Sequence, residues 1–206
     1  MKQRKAKLER KSKETEIKIN LNIDGQGKTK IKTNIGILDH MLELFAFHGF
    51  FDLDIDVKKS DLNIDIHHTN EDVGIVLGKA FKEALGDKEG IRRFGFAFAP
   101  MEATLSRFAI DISGRGYFKY DIERESLPIN VTPKTADGYA FTYLEHFLES
   151  FAHSLGATFN LTIYNPVEDL HTNLETVFKS FGLALDEATR IDTRRKGIPS
   201  TKGIID

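Results

Sequence analysis

Residues 66–85 read IHHTNEDVGIVLGKAFKEAL, from Ile66 to Leu85. Val73, Leu77, Ala80, Phe81 and Ala84 recur at steps of three and four, which predicts a helix with one apolar face over about four turns. Thr69 serves as the expected N-cap, with Asp72 three residues on in the manner of a capping box. His67 precedes Glu71 by four residues and His68 precedes it by three, so either imidazole can share a face with that carboxylate. The two histidines cannot share a face with each other, because neighbours diverge by roughly 100°. Two adjacent histidines before one glutamate therefore point to two metal ions. The plain alternative is a polar helix entrance where His and Glu meet only water.

The stretch has a second copy in the chain. Counting from Glu71 to Glu175, Gly78 faces Gly182, Ala80 faces Ala184, and Glu83-Ala84 faces Glu187-Ala188. Upstream of each copy, LDHMLELFA from Leu38 resembles LEHFLESFA from Leu144. Each half reads helix, strand, helix, with a histidine in the first helix (His40, His146) and His-x-x-x-Glu opening the second (His67 and Glu71, His171 and Glu175). A core accounts for repeated apolar positions, but not for repeated histidines and glutamates. The ideal set is three His and one Glu per metal, broken only where His68 faces Thr172, itself a candidate cap with Glu175. Imidazole and carboxylate without thiolate suit Mn, Fe, Co, Ni or Zn, and open positions for a substrate favour Mn or Zn.

Working outward, residues 16–24 alternate Ile17, Ile19, Leu21 and Ile23 as a strand. The run Asp24-Gly25-Gln26-Gly27 predicts a turn, and residues 28–35 the returning strand of a hairpin. Residues 37–48 and 140–155 read as helices, each followed by glycine. Residues 53–57, 64–66, 104–113, 117–122 and 158–164 read as strands, 174–188 as the last long helix and 189–206 as an irregular tail. Residues 86–94 and 123–138 read as loops. The sum is an α+β chain.

The chain has 206 residues, 40% hydrophobic and 29% charged, ordinary for one sizeable domain. With no cysteine, disulfides, thiolate metal sites and cysteine nucleophiles are excluded. No apolar run reaches the roughly 20 residues of a membrane span, so cytoplasm is expected. A net charge of −2 argues against a nucleic-acid binder. The first 13 residues carry seven Lys or Arg against one Glu. They read as a solvated, frayed terminus, with a weak polyanion-binding arm as the minor reading. Sixteen phenylalanines without a tryptophan have no explanation in the sequence alone.

Arg93, Arg115, Lys179 and the terminal Pro199-Ser200-Thr201-Lys202-Gly203 have the right chemistry to hold a phosphate: planar forks, point charges and neutral donors. Lys179 lies one turn after Glu175, where an i,i+4 ion pair is the plain alternative. No Walker or Rossmann glycine pattern is present, so no nucleotide is implied.

LDHMLELFAFHGFFDL, IHHTNEDVGIVLGKAFKEALGDKEGIRRFG, the Pro100-Met101-Glu102 turn, DISGR, LEHFLESFA, LETVFKSFGLAL and PSTKG resemble, in this order, the imidazoleglycerol-phosphate dehydratases of histidine biosynthesis. The resemblance runs from Arg10 to Gly203. It implies a duplicated half-domain, each a β-sheet with helices on one face, related by a pseudo-twofold in the manner of ribosomal protein S5 domain 2. One domain over 1–206 is expected, with repeats near 10–95 and 96–195 and a substrate-binding tail at 196–206. A metal-dependent hydro-lyase is implied, converting imidazole-glycerol phosphate to imidazole-acetol phosphate with two manganese ions, in a shell-like 24-mer. The implied metal ligands are His40, His67, His68, Glu71, His146, His171 and Glu175. Substrate and phosphate fall to Glu14, His48, Arg93, Arg115, Lys179, Ser200 and Lys202, and proton transfer to Glu175 and Glu71. Five positions depart from the family pattern: Leu44 for glutamine, Glu102-Ala103 for Asp-Glu, Asn160 for histidine and Thr172 for histidine. The segment Asn165–Leu170 also runs about one residue long, so His171 could stand for the second histidine of the pair, or Asp169 fill its place. A non-catalytic shell protein of the same family is the alternative these departures favour.

Overall fold

The computed structural model describes residues 4–122 and 138–205. The chain runs β1 (Lys5–Lys11), β2 (Glu16–Asn22), β3 (Thr29–Lys32), α1 (Gly36–His48), β4 (Asp52–Lys59) and α2 (Ile66–Leu85). It continues through β5 (Phe94–Met101), β6 (Thr104–Asp111), β7 (Tyr117–Ile122), α3 (Phe141–Leu155), β8 (Thr158–Tyr164) and α4 (Leu170–Thr189). The strand order β1-β2-β4-β3 recurs as β5-β6-β8-β7, and in each sheet the last pair is the parallel one. The fold is thus α+β and duplicated, with helices against each of two mixed sheets.

Alternation builds the sheets' inner faces. Ile17, Ile19 and Leu21 of β2 stand opposite Val57, Ile55 and Leu53 of β4, and all are buried. Phe108 and Ile110 of β6 stand opposite Leu161 and Phe159 of β8 in the same way. Between the sheets the helices pair crosswise, α1 with α4 and α2 with α3. The repeated glycines explain how close they come. A Cβ on Gly78 would lie 2.6 Å from the Phe151 carbonyl oxygen, and one on Gly182 would overlap that of Phe45.

The phenylalanines gather at this crossing. Phe45 lies 4.7 Å from Phe181 and 6.3 Å from Phe151, ring centre to ring centre, and Phe181 lies 4.8 Å from Phe108. Rings from both halves fill one core, each burying a large area and carrying no polar atom that needs a partner.

Four sequence expectations are corrected, and one strand is added. Residues 16–35 are not a hairpin, because β4 lies between β2 and β3 and pairs with β3 in parallel. Residues 64–66 are not a strand: α2 starts at Ile66 with Asp65 as its cap, accepting from the Ile66 amide at 2.6 Å. Thr69 therefore sits inside the helix, and its supposed box partner Asp72 instead pairs with Arg10 at 2.9 Å and Thr15 at 2.5 Å. The basic N-terminal run is edge strand β1 from Lys5 onward, paired along β2. Residues 94–101 form edge strand β5, unread in the sequence because its pattern is inverted. Phe94, Phe96 and Phe98 face out, while Gly95 points at the α4 backbone with no room for a Cβ. The loop expected at 123–138 lies, apart from Gly138, outside the described residues.

Candidate metal centre

Where α1 meets α4, three ligand atoms converge. His40 Nε2 is 3.3 Å and His171 Nε2 3.0 Å from the same oxygen, Glu175 Oε1. The two imidazoles stack with centroids 5.2 Å apart. His171 and Glu175 share a face because they are four residues apart on α4, and His40 arrives from the other half on α1. All three ligand atoms lie within 4.8 Å of one another. Ligands at about 2.0–2.2 Å from one ion stand roughly 3 Å apart, so small side-chain movements suffice to bind it.

Glu175 is held as an anion. Burial works to raise its pKa, but hydrogen bonds from Lys179, at 2.5 Å, and from His40 and His171 bring it down to about 2. That favours service as a ligand and weakens the group as a base. His48, at the end of α1, feels burial first and then the charge of Lys179, both lowering its pKa against the pull of Glu175. It is a neutral imidazole at pH 7 rather than a cation.

The mirror set, where α2 meets α3, is looser. His67 Nε2 is 3.7 Å from Glu71 Oε2, its ring 4.6 Å from that of His146. Nδ1 of His146 is buried without a hydrogen-bond partner. Among the described residues these three do not draw as close as the first set. His68 joins neither: its Nδ1 is 2.6 Å from Asp61 Oδ2, with Glu14 in the same group of ligand atoms. Burial opposes the ionised form of Asp61, but hydrogen bonds from His68 and Thr69 keep its carboxyl below the usual range.

Helix register aligns the second pair with the first. Ile66, His67 and His68 open α2, as Leu170, His171 and Thr172 open α4, so His171 takes the first histidine's place and Thr172 the second's. Asp169 is engaged at the helix start. It caps α4, accepting from the amides of His171 at 3.2 Å and Thr172 at 3.0 Å and from the Thr172 hydroxyl at 2.7 Å.

The cationic residues fall in three places. Lys179 and His48 flank the α1–α4 cluster. Arg93 has a left-handed backbone, φ 72°. Its guanidinium grips Asp111 at 2.6 and 3.0 Å and donates to the Pro199 carbonyl at 3.0 Å. That contact anchors the tail, in which the Lys202 amide donates to Ser200 Oγ at 3.2 Å. Arg115 is exposed on a turn held to α3 through Gly116, which has no space for a Cβ against His153. Sequence reasoning missed Asp61 and Asp111, since a carboxylate far along the chain from its partner leaves no periodic trace. A concavity of about 670 Å³ lies elsewhere, over the outer face of the first sheet between Lys5, Lys7, Lys30, Asp52 and Asp54, and includes no predicted site residue.

The family model for imidazoleglycerol-phosphate dehydratase matches residues 33–185. The chain belongs to the imidazoleglycerol-phosphate dehydratase family. It is 48% identical to the dehydratase of Caldanaerobacter subterraneus subsp. tengcongensis over 98% of this chain and all of that one. With the Geobacter metallireducens dehydratase it shares 46% identity over 97% of this chain and 98% of that one. Among solved structures, the dehydratase of Staphylococcus aureus superposes with a TM-score of 0.76 at 29% identity, covering 91% of this chain and 99% of that one. The Pyrococcus furiosus dehydratase, solved in complex with (S)-C348, gives 0.76 at 34% identity over 96% and 99%.

The positions that depart from the dehydratase pattern are scattered in the structure. Leu44 is partly buried on α1 against the core. Glu102 and Ala103 form the tip of the β5–β6 hairpin, with Glu102 at φ 51°. That hairpin brings Met101 Sδ to 3.6 Å from Lys179. Asn160 lies on β8, accepting from Arg107 at 3.0 Å. Thr172 sits in the helix turn that carries His171 and Glu175, and Leu44 lies one turn after His40 on α1. No helix among the described residues is long and apolar enough to cross a membrane.

Proposed function

We propose that this chain holds a divalent metal at His40, His171 and Glu175, completed by His68 of a second copy. With it the chain removes water from D-erythro-imidazole-glycerol phosphate to give imidazole-acetol phosphate in the cytoplasm. The reaction class follows from family membership: the chain is a hydro-lyase of histidine biosynthesis. The observation that carries the metal reading is the convergence of two imidazole nitrogens on one ionised carboxylate, a donor set suited to manganese. When bound, such an ion supplies positive charge that stabilises an imidazole ring loaded with electron density.

In the reaction a proton leaves one carbon and the hydroxyl of its neighbour leaves as water. Of the two carboxylates proposed to move that proton, Glu175 is committed as an anionic ligand. The transfer falls more readily to Glu71, a ligand of the weaker metal only, which stands 3.7 Å from His67. The phosphate does not react, and it serves as the handle by which substrate is positioned. Arg93, Arg115, Lys179, Ser200 and Lys202 hold it, with His48 as a neutral donor, and Glu14 meets the substrate beside His68.

Assembly is part of the proposal. His68 faces Asp61 rather than the cluster it would complete, and β5 presents Phe94, Phe96 and Phe98 to solvent. Both fit a homo-oligomer, in which metal bound only by the assembled state stabilises it by mass action. The second metal, at His67, Glu71 and His146, lacks a third imidazole because Thr172 stands in its place, and it is the weaker.

Turnover of imidazole-glycerol phosphate with added manganese tests the activity. Metal analysis tests the sites, with one tight and one weak ion per chain expected. Two ions of equal affinity, or a metal-loaded chain that sediments as a monomer, would overturn the corresponding part.

A further inference from the structure

We infer that Asp61 is the positioning residue of His68, fixing its proton on Nδ1 so that Nε2 is the nitrogen offered to a metal. The inference rests on the reading of His68 as a ligand given above. Asp61 Oδ2 lies 2.6 Å from His68 Nδ1, and its other oxygen accepts from Thr69 Oγ1 at 3.1 Å. Both oxygens are therefore engaged, and the carboxylate cannot turn away. The Asp61 side chain is only 8% exposed, whereas that of His68 is 39% exposed. Of the Glu14, Asp61 and His68 group, the carboxylate of Asp61 is buried and the imidazole is the more open, so the ring is the better placed of the two to meet an ion from another chain.

A neutral imidazole carries one N–H, and a carboxylate on Nδ1 assigns it there, leaving the Nε2 lone pair free and more basic. No other candidate histidine has this support. His40 and His171 lean on Glu175, itself a candidate ligand, and His67 leans on Glu71. Nδ1 of His146 has no partner. The difference fits the role proposed for His68. A ligand reaching into another chain's cluster approaches without local neighbours to orient it, and it needs its tautomer set beforehand.

The backbone contributes as well. The Ile64 amide donates to the Asp61 carbonyl at 2.7 Å, closing the turn that leads into α2. Asp61 and the helix that carries His68 are thereby held in one short rigid segment.

The test uses the full chain. Solid-state ¹⁵N spectra of the histidine-labelled, metal-free protein, taken above the pH at which His68 titrates, are expected to show His68 with its proton on Nδ1. Asp61→Asn is expected to move population to the Nε2–H form and to weaken manganese binding about 10–100-fold. Thr69→Val, which removes only the second hydrogen bond, is expected to cost less than tenfold and to leave the tautomer unchanged. An Nε2–H tautomer in the unmodified protein overturns the inference, and this reading holds even if Asp61→Asn fails to fold. A folded Asp61→Asn with parental manganese affinity also overturns it. His68→Ala with parental manganese affinity would instead show that the ligand reading is wrong, whatever tautomer Asp61 selects.

Discussion

α2 and α4 hold the same place in the two halves and open with the same His-x-x-x-Glu, yet they end up with different work. At the start of α4, His171, Glu175 and the incoming His40 close to within 4.8 Å, and Lys179 one turn on locks the glutamate as an anion. At the start of α2 the equivalent of Lys179 is Ile75, and the triad with His146 stays open. What α2 has instead is His68, turned outward against Asp61. Under the proposed function, the α4 end gathers ligands and the α2 end supplies one. The sheets differ in the same spirit. Across the first, Lys7, Asn20 and Asp54 stand in one outward row. The corresponding row of the second begins with the exposed Phe96. Duplication preserved the scaffold, and single positions redistributed the chemistry on it.

The sharpest way to break this comparison is to remove one glutamate at a time. Glu175→Ala is expected to lower turnover by about 100-fold or more and to release the tight metal. Glu71→Ala is expected to lower turnover by about 100-fold or more while keeping most of that metal. Turnover and metal content measured on the same samples decide it; equal metal loss from both variants would make the two halves alike.

Stability separates the halves next. Gly182→Ala and Gly78→Ala each force a methyl group against a helix backbone, at a cost of about 1–3 kcal/mol. The larger loss is expected at Gly182, where the overlap with the Phe45 carbonyl is greater. Thermal unfolding of the two variants gives the order directly.

Acid gives a smaller effect. The Glu175 pKa falls from 4.5 to about 2 on folding, so its contribution is complete above 4.5 and is lost as pH drops toward 2. In metal-free protein, Glu175→Gln is expected to flatten that part of the stability–pH curve. A curve as steep as the parent's would mean that the ion pair with Lys179 does not form in solution.

The smallest change sharpens the comparison by repair. Thr172→His is expected to raise manganese occupancy at the weaker site. It also gives up the Thr172–Asp169 hydrogen bond of 2.7 Å, worth about 1 kcal/mol. Titration with manganese and a melting curve report the gain and the cost separately.

Much of this was legible in the sequence, for identifiable reasons. Repeated His and Glu at fixed spacing show which residues gather at helix starts, because i,i+4 geometry is local. The duplication of α1, β4 and α2 as α3, β8 and α4 shows for the same reason. β5 was not legible, because its large residues face out and its small ones face the α4 backbone, the reverse of the usual alternation. β3 was misassigned because a turn signal cannot show that β4 will come between neighbours. The cap of α2 was misplaced by four residues because Thr69 imitates a cap while its hydroxyl serves Asp61. The destination of His68 depends on Asp61, which nothing in the helical pattern marks.

The crosswise pairing of helices has a consequence for the chain as a polymer. Because α1 meets α4 and α2 meets α3, neither triad can be built from one half's residues alone. A half-length chain would need to capture a copy of itself before it could form either, and capture depends on concentration. Joining the halves in one polypeptide makes the encounter intramolecular, at an effective concentration set by the connecting chain. Each triad is then available at any dilution, and under the proposed assembly only the contribution of His68 would be left to collisions between chains.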